Sequence, residues 1–292
     1  MWPGLPRPAT NRGRLAAEPQ CSAAELLPNV EMGVLLRLPA REDEGMSDLR
    51  TLALSNYGHF TSMRALDGAV RGLALHMERL RRDSATLFGA EVDLDVVREQ
   101  CRARAVDSRE QVLRVSVFGD GFDFSHPGDQ VKPVPVVTSR PAAELPAPPL
   151  RTRTDRYVRD LPAVKHAGLF GTVYARRQAQ LAGFDDVLLV DDDDQVYEAA
   201  TSNLVFVAGA EVIWPIGESL PGVTMTLIRQ RIPGTMAYVP RSEVGRFDAA
   251  FATNANAGVR AITQIDDATY RDDHPMLAQL REAYEAAIWE EL

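Results

Sequence analysis

Residues 185–215, DDVLLVDDDDQVYEAATSNLVFVAGAEVIWP, read as four β-strands in quick succession. DVLLVD (186–191), VYEAAT (196–201), NLVFVAG (203–209) and EVIWP (211–215) are short, rich in β-branched and aromatic residues, and separated by turn residues. DDDQ after the first strand suits a solvated hairpin turn better than a cation site. Glu198 interrupts an otherwise uncharged stretch; a strand glutamate faces solvent about as often as not, but Thr201, Ser202 and Asn203 beside it form a polar cluster that a plain core strand would not favour.

Upstream lies a second unusual residue. The chain has 32 Lys+Arg, yet only two are lysine. Lys132, in VKPVPVV, reads as solvated loop or strand edge, whereas Lys165 lies between LPAV and AGLF, just before a helical pattern over 171–182. A lone lysine is most often a surface residue. A chain that so avoids lysine keeps one where a primary amine is required. An amine followed by a buried-looking carboxylate points to pyridoxal phosphate (PLP) chemistry: the amine holds the cofactor as a Schiff base, and the carboxylate keeps the pyridine nitrogen protonated.

The first half has a different rhythm. FTSMRA (60–65) and AVR (69–71) read as strands joined through Leu66-Asp67-Gly68. Apolar residues at 73, 77, 80 and 87 predict a helix ending on Gly89, and a second helix is expected over 93–106. QVLRVSVFG (111–119) is a strand with Arg114 and Ser116 on one face. Together these predict a small α+β domain. Residues 119–151 are turn- and proline-rich around one short strand, VPVVTS, and end in a candidate linker. Beyond the strands of 185–215, a helix is expected over 222–232, strands at AYVP, DAAFATN and AITQID, and a closing amphipathic helix over 274–292.

The expected organisation is a disordered tail over 1–46, a small domain over 47–151 and a larger one over 152–292. The tail is rich in Pro, Arg, Gly and Ala and lacks the apolar core of a secretory signal. A start at Met46 or a cleaved transit peptide are alternatives. Net charge of −9 argues against nucleic-acid or anionic-membrane partners. No apolar run has the length of a membrane span. Cys21 and Cys101, without CxxC spacing, suggest a reducing cytoplasm and neither zinc nor a disulfide framework. There is no Walker A or GxGxxG motif.

Other candidates bind anions. Gly222, Val223 and Thr224 open a predicted helix, where free N–H groups favour an anion, although taken alone an ordinary helix start is the better reading. Arg79 offers a guanidinium but is also one of several helix arginines. His76 reads as a packed or capping histidine.

In order, YGHFTSMRALDGAVRGLALHMERL, LRVSVFGDG, VKHAGLF, DDVLLVDDDDQVYEAATSNLVF, LPGVTM and FATNANAGVRAI resemble the class IV (fold type IV) PLP-dependent enzymes. That group includes branched-chain aminotransferases, D-amino acid aminotransferases and aminodeoxychorismate lyases. The resemblance runs from about Asn56 to Ile265. It implies an α+β fold of two domains, a small α+β domain and a larger barrel-like α/β domain, with PLP in the cleft. It also implies a homodimer whose partner closes part of the site.

By position, the resemblance makes Lys165 the Schiff-base lysine and Glu198 the partner of the pyridine nitrogen, with Asn203 beside it. Arg79 would bind the phosphate with Val223 and Thr224, and Asn254 and Ala255 would line the phosphate end. Phe60, Arg64 and Arg114 would face substrate, with Arg114 for a carboxylate. Phe170 stands where the family often has a tyrosine. Thr61, Met225 and Ala255 also depart from the common pattern and weaken branched-chain specificity. The leading expectation is an aminotransferase acting on an amino acid and a 2-oxo acid. The runner-up is aminodeoxychorismate lyase, toward which TNANAGVRAI leans. A third reading is a non-catalytic binding subunit, against which Lys165 and Glu198 argue.

Overall fold

A computed structural model describes residues 55–105 and 109–292. The expected tail lies outside the described residues. Two β-sheets organise the rest.

The first sheet is built from β1 (Gly58–Leu66), β2 (Ala69–Arg71), β3 (Gln111–Asp120) and β4 (Lys132–Pro141). Asp67 and Gly68 both take positive φ, 49° and 74°, which is the geometry a tight two-residue hairpin requires. Helices α1 (Leu73–Phe88) and α2 (Leu94–Arg104) cover one face. Gly89 ends α1 in the left-handed region, and Asp93 caps α2 through its side chain. Met63, Leu113 and Val115 from the sheet pack with Leu73, Met77 and Leu80 from α1. The alternation of β1 then sends Phe60 and Ser62 to the other face.

β4 is longer than the short strand expected. It pairs with β3 over its whole length and, as an edge strand, tolerates Pro133, Pro135 and Pro141.

The second sheet contains β5 (Leu150–Arg156), β6 (Asp186–Val190), β7 (Val196–Ala199), β8 (Ser202–Ala208), β9 (Glu211–Pro215) and β10 (Thr235–Ala237). It is completed by β11 (Ala249–Asn254), β12 (Gly258–Ile265) and the short β13 (Ala268–Thr269). The order β8-β11-β12-β5-β6-β7 closes on itself through a β7–β8 pairing, so these strands form a barrel. Leu150, Leu188, Leu204, Phe206, Ala252 and Ile262 share one of its cores. Helix α3 (Phe170–Leu181) packs Ala175 and Ala179 against Val187 and Leu189. Helices α4 (Val223–Arg229) and α5 (Met276–Glu285) cover another face through Ile228, Leu277 and Leu280. The mixed α+β fold with a barrel-like sheet is the expected one.

Four further expectations differ. The helix after Gly222 stops at Arg229 instead of 232, and β10 lies at 235–237 rather than at AYVP. The closing helix ends at Glu285, and Trp289–Glu291 form a strand, β14, paired antiparallel with β2 of the first sheet. Residue 151, the expected domain boundary, falls inside β5, which belongs to the second sheet.

Candidate active site

Between the open face of the first sheet and the rim of the barrel lies a cavity of about 390 Å³. β1 contributes Phe60 and Ser62, α1 contributes His76 and Arg79, and β3 contributes Arg114. The connection after β5 supplies Arg159 and Lys165, β7 and β8 supply Glu198 and Asn203, and the remaining walls come from Val223, Thr224, Asn254 and Ala255. The structure thus brings together ten of the twelve residues that the resemblance placed at the site.

Lys165 is the amine in this cavity. Its Nζ lies 4.8 Å from the centre of the Phe60 ring, and the Arg114 guanidinium lies over the same ring at 3.5 Å. Burial, then the nearby Arg79 and Arg159 charges, lower the Lys165 pKa to about 7, with Glu198 pulling the other way and Arg114 adding to the depression. A neutral amine is therefore abundant near neutral pH.

Glu198 is buried, with both oxygens engaged. Arg159 Nε donates to Oε1 at 2.6 Å and the Leu220 N–H donates to Oε2 at 3.1 Å. Burial raises the carboxyl above its usual pKa, against the pull of Arg159 and of these hydrogen bonds. Arg159 also donates to the carbonyls of Pro162 and Val164, so one guanidinium joins the carboxylate to the loop that carries Lys165.

At another part of the wall, Arg79 is buried and donates through Nη2 to the Pro221 carbonyl at 2.6 Å. Its buried Nε has no protein partner, nor has the buried hydroxyl of Thr253. Thr224 brings a further buried hydroxyl to the cavity. A guanidinium and hydroxyls directed at one space suit an anionic group.

Two residues have bracing roles. Asn254 Oδ1 accepts from the N–H groups of Asn256 and Ala257, while its Nδ2 donates to Ser202 Oγ and the Thr201 carbonyl. Asn203 Nδ2 donates to the Leu220 carbonyl at 2.7 Å. Both side chains tie cavity-lining turns together.

Arg64 and Phe170 are not brought to the cavity. Arg64 shares the face of Phe60 by alternation, but its guanidinium is spent on Glu110 and on the carbonyls of Asn256 and Ala143. Phe170 is the first residue of α3 and is 84% exposed, because Leu169, Thr172 and Arg176 occupy the helix face toward the cavity.

Sequence reading passed over Arg159, one arginine among thirty, and set His76 aside. His76 lines the cavity, fully buried, with Nδ1 2.7 Å from Thr61 Oγ1. Burial and the Arg79 and Lys165 charges hold its pKa well below the usual value, so it is neutral. Helical spacing gave the one available signal, since His76 and Arg79 are three apart and share a face. Among the described residues, no cluster of His, Cys, Asp or Glu could hold a metal ion.

Comparison with known proteins gives this geometry a context. Over 251 residues the chain is 24% identical to a probable branched-chain-amino-acid aminotransferase of Rickettsia felis, covering 77% of this chain and 84% of that protein. A shorter match, 25% over 122 residues, links it to a probable branched-chain-amino-acid aminotransferase of Synechocystis and covers 39% of this chain and 40% of that protein. Among solved structures, a branched-chain aminotransferase of Thermoproteus uzoniensis superposes with a TM-score of 0.71 at 20% identity, covering 80% of this chain and 86% of that one. A candidate 4-amino-4-deoxychorismate lyase of Legionella pneumophila superposes with a TM-score of 0.71 at 19% identity, covering 81% and 93%. At such identities the superpositions establish a shared fold. The family model for amino-transferase class IV matches residues 58–265, more than half of the chain, and the protein belongs to that family.

Proposed function

We propose that the protein is a PLP-dependent aminotransferase that moves an amino group from an amino acid to a 2-oxo acid. The observation that carries this reading is that the Lys165 amine and the buried Glu198 carboxylate line one cavity with Arg79, whose buried Nε lacks a protein partner. The donor set fits PLP: an amine for its aldehyde, a carboxylate for its ring nitrogen, and a guanidinium with the Thr224 hydroxyl for its phosphate. PLP, when bound, supplies an electron sink for the charge left at the substrate Cα.

The remaining work falls to the chain. Lys165 would hold the cofactor through its amine, and the free amine can accept a proton from the substrate Cα. Its depressed pKa leaves it able to accept that proton near neutrality. Glu198 holds a proton at the ring nitrogen, and Arg159 keeps the Glu198 carboxylate oriented. Arg114, stacked on Phe60, binds a substrate carboxylate.

One observation favours a second reading. The likeness to a candidate 4-amino-4-deoxychorismate lyase is as close as that to the aminotransferase. A lyase would release pyruvate and 4-aminobenzoate from the same site. The two differ in their need for a 2-oxo acid acceptor.

Exposed Phe170, Val173, Tyr174 and Leu181 on α3, next to the cavity wall, support a homodimer. A cytoplasmic location is part of the same proposal. Among the described residues, no helix is long and apolar enough to cross a membrane.

The test is a visible spectrum of the protein loaded with PLP and titrated with amino acids. Conversion of the cofactor band to the pyridoxamine form, reversed by a 2-oxo acid, supports transamination. A band that no amino acid discharges favours the lyase, and the absence of any band sinks both.

A further inference from the structure

Lys165 follows β5 of the barrel in sequence, yet its backbone hangs on the first sheet. The Phe60 N–H donates to the Lys165 carbonyl at 2.9 Å, and the Ala167 N–H donates to the Gly58 carbonyl at 2.7 Å. The Lys165 N–H itself donates to Asp83 Oδ2 at 2.9 Å. Asp83 lies on α1, where its side chain is fully buried. Its other oxygen accepts from Arg82 Nε and Nη2 at 3.0 and 2.7 Å, and the same Arg82 donates to the Ala163 carbonyl at 2.9 Å.

A carboxylate is costly to bury and is tolerated only where its bonds are good. Here one oxygen is neutralised by Arg82 and the other points at the backbone of the one lysine in the cavity. The carbonyl and N–H of Lys165 are therefore both held, which fixes its Cα and the point from which its four-carbon stem reaches.

We propose that Asp83 is a positioning residue for Lys165, a buried clamp on α1 that sets where the lysine amine stands in the cavity. The inference rests on Lys165 being the reactive amine. Groups facing that amine are His76 and Arg79 from α1, Phe60 from β1, Arg114 from β3, Arg159 from the loop and Glu198 from β7. Loosening the clamp lets the amine move among these groups toward solvent.

The two-lysine composition makes the test clean. The protein without cofactor is acetylated with limiting acetic anhydride across a pH series, and modification at Lys165 and at exposed Lys132 is read by peptide mass. Wild-type Lys165 should titrate near 7, with Lys132 as the internal reference. In Asp83→Ala the Lys165 midpoint should lie about one pH unit away from that in Asp83→Asn, which loses the same charge. PLP affinity, read by fluorescence, should fall roughly 10-fold. Asp83→Asn keeps an acceptor oxygen and should stay close to wild type, whereas Asp83→Glu keeps the charge but displaces the oxygen by one methylene and should shift. That last pair decides the matter if Asp83→Ala does not fold.

Profiles for Asp83→Ala or Asp83→Glu that superimpose on wild type overturn the inference, as does Asp83→Asn failing as badly as Ala. A wild-type Lys165 that titrates like Lys132 and takes no pyridoxyl adduct overturns the assignment of the reactive amine instead.

Discussion

Arg159 and Glu198 form a buried ion pair, with Nε 2.6 Å from Oε1 and side chains only 8% and 5% exposed. The pair joins the loop that carries Lys165 to β7 of the barrel. Removing one partner leaves an uncompensated buried charge. Arg159→Met should therefore destabilise the protein by about 3–5 kcal/mol, read from urea unfolding. The double variant Arg159→Met/Glu198→Leu should recover most of that stability while remaining inactive. A double variant as unstable as the single one would show that the pair contributes more to stability than the chemistry proposed for it explains.

The depressed Lys165 pKa gives a pH signature. The folded value is about 7 and the unfolded reference is 10.5, so between them the unfolded chain binds the extra proton. Stability of the cofactor-free protein should therefore rise with pH across that window on account of this group. The penalty is fully present below about 7 and gone above 10.5. Lys165→Met should be more stable than wild type at pH 7, with the difference vanishing at high pH. Thermal midpoints in the two proteins across pH provide the check, and a difference independent of pH would contradict it.

Gly222 is required by a close approach. A Cβ there would collide with Asn203 Oδ1. Gly222→Ala must push aside the side chain that holds the Leu220 carbonyl, and through it the turn that gives Glu198 its second hydrogen bond. PLP affinity should fall by about 10-fold or more, the equivalent of one lost hydrogen bond to a charged group. Gly68→Ala is a useful contrast. It meets no atom within 4 Å but sits at a φ of +74°, so it should cost about 1 kcal/mol with no effect on PLP.

The last four residues anchor the chain's end. Arg71 stacks on Trp289 at 4.3 Å, Leu292 is buried, and Arg102 donates to the Leu292 carbonyl at 2.6 Å. Deleting 289–292 exposes the edge of β2 and should cost about 2–4 kcal/mol, given one buried leucine and several hydrogen bonds. Chemical unfolding of the truncated chain checks this, and unchanged stability would contradict it.

Elements whose local signals agree were legible in sequence. The β1–β2 hairpin carries its Asp-Gly turn, α1 ends on a glycine in the left-handed region, and the strands over 186–215 are apolar on their own account. Strand β5, LRTRTDR, was not foreseen. Its inward positions after Leu150 are Thr152 and Thr154, whose hydroxyls bond to the Gln264 carbonyl and to Asp266, so the apolar alternation that marks a strand is hidden. β14 was absorbed into a helix because its partner, β2, lies more than 200 residues away and leaves no local trace. In the cavity, Lys165 and Glu198 stood out by rarity and by context. Arg159 and Asp83 did not, since their significance depends on contacts made across the fold. Arg64 was placed toward substrate by the resemblance alone, which gives a position but not that Glu110 and the carbonyls of Asn256 and Ala143 take the guanidinium.

Every role proposed for the site depends on Lys165 being the amine that holds PLP. Borohydride reduction of the PLP-loaded protein, followed by peptide mass mapping, should give one pyridoxyl group per chain on the peptide containing Lys165, none on Lys132, and none in Lys165→Ala. Labelling of Lys132 with Lys165 unmodified would contradict it.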